Sequence, residues 1–141
     1  MKVKTLASGS KGNCTIVICN DTKIIIDIGI NYKTLKEKLI TNNYSINEFE
    51  SILITHSHKD HIGGLKTLIH NTNIKVYIPE KMYEELKDIV PKHRCVFIDD
   101  NFNINDVEIE LIHTSHDTIC SVGYIIKYNT IQVNITRNRI F

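Results

Sequence analysis

His56-Ser57-His58-Lys59-Asp60-His61 follows the apolar run Ser51-Ile52-Leu53-Ile54-Thr55 and precedes Ile62-Gly63-Gly64-Leu65, which places three imidazoles and a carboxylate together at the end of an expected strand. Imidazole and carboxylate are the ligands that zinc-like cations accept, and a strand end lets side chains converge while water keeps access. Residues two apart on extended backbone share a face, so His56 and His58 are read as a pair gripping one ion. Asp60 and His61 fall where the chain enters the helical spacing of Leu65, Leu68 and Ile69, from which they can address a second, neighbouring ion. A single loop histidine is more often solvated than a ligand, and an Asp at a helix start is more often a cap. Clustering of all four groups at one strand end is what favours a metal site.

Outward from this loop, residues 2–6, 15–19 and 23–28 read as three short strands separated by Gly-, Asn- and Asp-containing turns. Residues 32–40 take helical spacing, with Leu35 and Leu39 four apart. Strands are expected at 51–55, 74–78, 95–98, 107–112, 122–128 and 131–135, with a helix over 79–89. This alternation predicts an α/β (α+β) domain spanning 1–141, a mixed sheet with helices on its outer face. The chain has 141 residues, 42% hydrophobic and 23% charged, with a formal net charge of +1, which excludes most fibrous and disordered classes and supplies no global field for nucleic acid. Cys14, Cys19, Cys95 and Cys120 form no C-x-x-C pair and read as small buried hydrophobes, although Cys120 lies only four residues beyond His116 and so near the expected site. With no long apolar span and no signal-type apolar core at the N-terminus, the expected compartment is the cytoplasm, with no membrane partner.

The H-x-H-x-D-H loop after a strand resembles the signature of the metallo-β-lactamase fold superfamily. The opening Leu6-Ala7-Ser8-Gly9-Ser10-Lys11-Gly12-Asn13-Cys14, the segment Ile24-Ile25-Ile26-Asp27-Ile28-Gly29 and the later Thr114-Ser115-His116-Asp117 are similar to its WalJ (YycJ, VicX) branch in order and wording. The resemblance implies a four-layer αββα sandwich, of which this chain supplies mainly the first half. It implies a first ion on His56, His58 and His116, and a second near Asp60 and His61, the catalytic candidates. The ion it implies is Zn2+, with Mn2+ or Fe2+ as alternatives. His113 and His116 lie three apart and so face opposite ways on extended backbone; the strand-end position favours His116 as the ligand. Asp27, closing a run of three isoleucines, is read as orienting a ligand or accepting backbone hydrogen bonds, with an ordinary turn Asp as the alternative. Ser10, Lys11 and Asn13, in a glycine-rich loop that a plain hairpin would also explain, are candidates for contacting phosphate. His70 and His93 are read as solvated.

The implied activity is hydrolysis of a phosphodiester, DNA above all, by a metal-activated water; the alternative is an inactive remnant or a non-catalytic metal-binding module. The family's bridging Asp, in a T-D-T-G-like motif after the strand at 131–135, and its last metal-binding His are missing. Thr136-Arg137-Asn138-Arg139-Ile140 stands there instead. At most one tightly held ion is therefore expected. Removing one base from a codon run such as ACA AGA AAC AGG ATA T restores Thr-Glu-Thr-Gly-Tyr, so a shifted reading frame and a truncated domain are expected. A sheet deprived of its partner would expose an apolar face and self-associate.

Overall fold

A computed structural model describes residues 1–113, 121–136 and 139–140. The first sheet has six strands in sequential order: β1 (Lys2–Ala7), β2 (Cys14–Cys19), β3 (Thr22–Ile26), β4 (Ser51–Leu53), β5 (Lys75–Ile78) and β6 (Cys95–Phe97). β1, β2 and β3 are antiparallel, and β3 through β6 are parallel. The change of sense follows from the connections. Cys19 and Thr22 are joined by a tight turn led by Asn20 in a left-handed conformation (φ 56°), which returns the chain antiparallel. Between β3 and β4 the chain instead inserts α1 (Tyr32–Thr41), whose first turn is capped by Asn31 accepting from Thr34 N at 2.8 Å. Between β4 and β5 it inserts α2 (Lys59–Ile62) and α3 (Leu65–Asn71), and between β5 and β6 α4 (Tyr83–Leu86). Crossovers of this length are what parallel pairing requires.

The second sheet is antiparallel, in the order β11 (Arg139–Ile140), β10 (Ile131–Thr136), β9 (Val122–Tyr128), β8 (Val107–His113) and β7 (Asn101–Ile104). Its alternation is plain in β8, where Val107, Ile109 and Leu111 are buried while Glu108 and Glu110 face away. Those residues join Val122, Tyr124, Ile126 and Ile135 in one core with Ile16, Ile24, Ile25, Ile52 and Leu53 of the first sheet. The Tyr124 hydroxyl donates to the Ile54 carbonyl at 2.8 Å, and the Tyr77 and Phe102 rings stack with centroids 6.0 Å apart. Among the described residues, no helix is long and apolar enough to cross a membrane, which says nothing of a β-barrel.

Four expectations are corrected here. The mixed sheet with helices on its outer face is joined by a second, antiparallel sheet, whose first strand β7 carries too few apolar residues (Asn101, Phe102, Asn103, Ile104) to stand out in the sequence before the Asn105 turn that returns it into β8. The helix over 79–89 begins as a 3-10 turn, Glu80–Met82, and its α-helical part is α4 alone. The bare sheet face expected to drive self-association is not seen among the described residues: the second sheet covers the first, and the large apolar side chains left exposed are the scattered Ile40, Ile131 and Ile140. Cys14 and Cys19 are buried free thiols as expected, but Cys95 is only half-buried, since it opens an edge strand.

Arg94 ties the helical layer to the sheet. Its Nη1 donates to the Ile69 carbonyl at 2.9 Å and its Nη2 to Thr72 and Ile74 at 2.7 and 2.8 Å, closing the turn between α3 and β5. A lysine ammonium cannot reproduce that planar fork. Arg94→Lys is expected to lower stability by about 1–2 kcal/mol, read as a shift of the urea midpoint at unchanged slope.

Candidate metal centre

β3 ends at Ile26, and the next residue, Asp27, takes a left-handed conformation (φ 63°) that an Asp tolerates better than most side chains. The turn aims its carboxylate back along the sheet at the end of β4. Oδ1 accepts from Thr55 N at 2.7 Å, and Oδ2 accepts from the Thr55 hydroxyl at 2.5 Å. Oδ2 also lies 2.8 Å from His61 Nδ1. Asp27, Thr55, His56 and His61 are all buried. Burial pushes the Asp27 carboxyl above its ordinary range, while the His61 and Thr55 hydrogen bonds pull it back down. The same burial, with the Asp27 charge adding to it, pushes the neighbouring Cys14 thiol and the Tyr124 phenol upward, so both stay neutral beside the site.

The loop itself is held by backbone. Ile28 N donates to His61 O at 2.8 Å, Asn13 N to Asp60 O at 2.7 Å and Gly29 N to Asn13 O at 2.8 Å. Across the second sheet, Val122 N donates to Thr55 O at 2.8 Å and His56 bridges to Ser121. Inside this frame the His56 and His58 rings lie 3.8 Å apart between centroids, and those of His56 and His61 5.6 Å. The two histidines of the H-x-H pair thus share a side, as the two-residue spacing predicts, with His56 buried and His58 exposed. His61 Nε2 is buried and makes no hydrogen bond among the described residues, and Asp60 Oδ2 lies 3.6 Å from it.

That arrangement fits a cation. One ring nitrogen is fixed by a carboxylate, the other is turned beside a second carboxylate with no hydrogen bond among the described residues, and a metal-ligating imidazole has this pattern. Among the described residues, no three His, Cys, Asp or Glu side chains converge into a set able to hold an ion by themselves. His116, the remaining expected ligand, lies outside the described residues, as does Cys120. His113 is exposed, 3.4 Å from Asp100 Oδ1, and His70 and His93 are exposed as expected.

The glycine-rich loop differs in part from its sequence reading. Ser10 and Lys11 are exposed, but Asn13 is buried, and its amide nitrogen donates to Gly9 O at 2.9 Å and Asp60 O at 3.1 Å while its oxygen accepts from Gly9 N at 3.1 Å. Asn13 is therefore a clamp on the metal loop, and its amide is not available for phosphate. Sequence reasoning also missed Thr55, whose signal was present in its place between the strand and His56, and Glu85, whose carboxylate accepts from Ser57 Oγ at 2.7 Å and which no motif marks.

A family model described as anti-Pycsar protein Apyc1 matches residues 5–90, which carry Asp27, Asn13 and the whole H-x-H-x-D-H loop. The chain belongs to that family. It is 32% identical over 117 residues to exodeoxyribonuclease YycJ of Bacillus anthracis, a match covering 79% of this chain and 44% of the relative. It is 30% identical over 130 residues to exodeoxyribonuclease WalJ of Streptococcus pneumoniae serotype 2 (strain D39 / NCTC 7466), covering 87% and 48%. The chain spans about half the length of these relatives. Its fold is that of the metallo-β-lactamases: the class B3 di-zinc enzyme LRA-12 from an Alaskan soil metagenome superposes with a TM-score of 0.72 at 16% identity, over 88% of this chain and 56% of that one. The superfamily read from the loop and the branch read from the flanking segments agree with these likenesses.

Proposed function

We propose that the chain carries the ligand-bearing part of a metal-dependent phosphodiesterase acting on DNA. The observation that carries the reading is the buried Asp27–His61 pair, which leaves His61 Nε2 3.6 Å from Asp60 Oδ2 with no hydrogen-bond partner among the described residues. The names of the YycJ and WalJ relatives support the substrate class. His56, His58 and His116 would hold one ion, zinc by preference and manganese or iron otherwise, with Asp60 and His61 facing a neighbouring position. When bound, such an ion acidifies a water and polarises the ester oxygen under attack. The protein's own part is orientation: Asp27 fixes the His61 ring, Thr55 fixes Asp27, and Asn13 holds the Asp60 backbone. Ser10 and Lys11 stand exposed at the loop and supply a hydroxyl and a cation for a phosphate. The free thiols of Cys14, Cys19 and Cys95 suit a reducing compartment, so we place the reaction in the cytoplasm.

Purification without added metal, followed by elemental analysis and a DNA-end cleavage assay, tests this reading. One tightly held ion per chain is expected. His58→Ala and His116→Ala should abolish it, whereas His113→Ala, which removes only an exposed ring beside Asp100, should leave it intact. Loss of the ion in His113→Ala with retention in His116→Ala would sink the ligand assignment. A chain that binds its ion but cleaves no DNA would leave a metal-binding module in place of a nuclease.

A further inference from the structure

Ser57 stands between His56 and His58, and on extended backbone its side chain points away from the face the two imidazoles share. Whatever holds the Ser57 hydroxyl therefore limits rotation of the backbone that aims both rings. That hydroxyl donates to Glu85 Oε2 at 2.7 Å, a short hydrogen bond to a charged acceptor. Glu85 is remote in sequence and belongs to α4, on the connection between β5 and β6.

α4 is well suited to serve as an anchor. Met82 and Leu86 on either side of Glu85 are fully buried, the Tyr83 hydroxyl donates to the Val90 carbonyl at 3.1 Å, and the Tyr83 ring meets Phe97 edge-on with centroids 5.6 Å apart. The neighbouring glutamate, Glu84, is paired differently, with Lys87 at 3.0 Å along the helix surface. Of two adjacent carboxylates on one short helix, one serves the helix and the other reaches across to the loop.

We infer that Glu85 is a positioning residue for the metal loop, holding the His56-Ser57-His58 turn through the Ser57 hydroxyl so that the two imidazoles are set before an ion arrives. The inference rests on the metal reading above for its consequence, but the clamp itself is a bond between two protein side chains. Removing it should leave the fold intact and loosen the loop locally, because Glu85 is exposed and its carboxylate bonds to the loop hydroxyl.

Two readouts on the full chain decide it. Amide hydrogen exchange of residues 57–61 without metal should quicken in Glu85→Ala and in Ser57→Ala, with global unfolding unchanged. Co2+ titration should show affinity lowered about three- to tenfold in each, below the roughly 10–100-fold loss typical of direct supports of a ligand. The double variant should be no worse than either single one, since both remove the same bond. Glu85→Gln, whose amide oxygen still accepts, should restore both readouts. Exchange and affinity equal to the parent in Glu85→Ala would overturn the inference, as would additive losses in the double variant. A parent protein that binds no Co2+ would overturn the metal reading instead, with the exchange comparison still deciding the clamp.

Discussion

Gly29→Ala is expected to cost about 3–5 kcal/mol, near the limit for a single methyl group, and to displace the metal loop with it. A β-carbon built at Gly29 would sit 1.8 Å from the Asp60 carbonyl oxygen, 2.4 Å from its carbon and 2.5 Å from Asn13 N. All three are backbone atoms, so no side chain can rotate out of the way. They are also the atoms joined by the Asn13 N to Asp60 O hydrogen bond, with Gly29 N donating to Asn13 O alongside. Relief of the clash must therefore open the junction where the glycine-rich loop, the end of β3 and the start of α2 meet. Gly9→Ala is the control. Gly9 has a positive φ of 114° but nothing within 4 Å of the added carbon, so that variant carries backbone strain alone, about 1–2 kcal/mol. Denaturant unfolding of the two variants side by side separates close approach from strain. Equal midpoints would mean that the junction at Gly29 yields more easily than three backbones in contact should.

This junction also shows what could be read from sequence. Asp27, Asn13 and the H-x-H-x-D-H loop each carried a local signal: a charge closing an isoleucine run, a polar residue ending a glycine-rich turn, and clustered ligands at a strand end. Their mutual contacts were not legible, because they depend on β3 and β4 pairing in parallel, Ile26 beside Leu53, with Asp27 N continuing to Leu53 O. Parallel pairing is non-local and leaves no turn in the sequence. The fate of Asn13 turned on that pairing as well: its composition suited a phosphate loop, and its burial against Asp60 made it a clamp. The second sheet was half-visible for a related reason. β8 alternates cleanly, and β8 and β9 were both expected, whereas β7 shows itself mainly through its register with β8, Phe102 opposite Ile109 and Ile104 opposite Val107. The expectation of an uncovered sheet failed on the same element, since β7 through β10 already provide the covering layer.

Asp27→Asn should preserve the fold and weaken binding of a second, weaker ion at the position faced by Asp60 and His61 by about 10–100-fold, because it changes which nitrogen of His61 carries the proton. The native carboxylate faces three donors, Thr55 N, the Thr55 hydroxyl and His61 Nδ1. An ionised carboxylate only accepts, so Nδ1 carries the hydrogen and Nε2 keeps its lone pair toward Asp60. Asparagine is nearly the same shape and tolerates the left-handed conformation that Asp27 adopts, so the backbone need not move. Its oxygen can continue to accept from Thr55 N, which turns the amide NH2 toward His61 Nδ1. Two donors cannot share that contact, so the ring must shift its proton to Nε2, and an Nε2–H is no ligand. Asp27→Ala removes the acceptor altogether, leaving buried donors on Thr55 and His61 unsatisfied at about 1–3 kcal/mol each, so it should lose stability as well as affinity. The two variants therefore part on unfolding and agree on Co2+ binding. Nitrogen-15 chemical shifts of His61 report the tautomer without any metal present. An Asp27→Asn protein whose His61 keeps its proton on Nδ1, or which takes up the second, weaker Co2+ as tightly as the parent, would show that the Asp27 carboxylate does not set the metal-facing side of this ring.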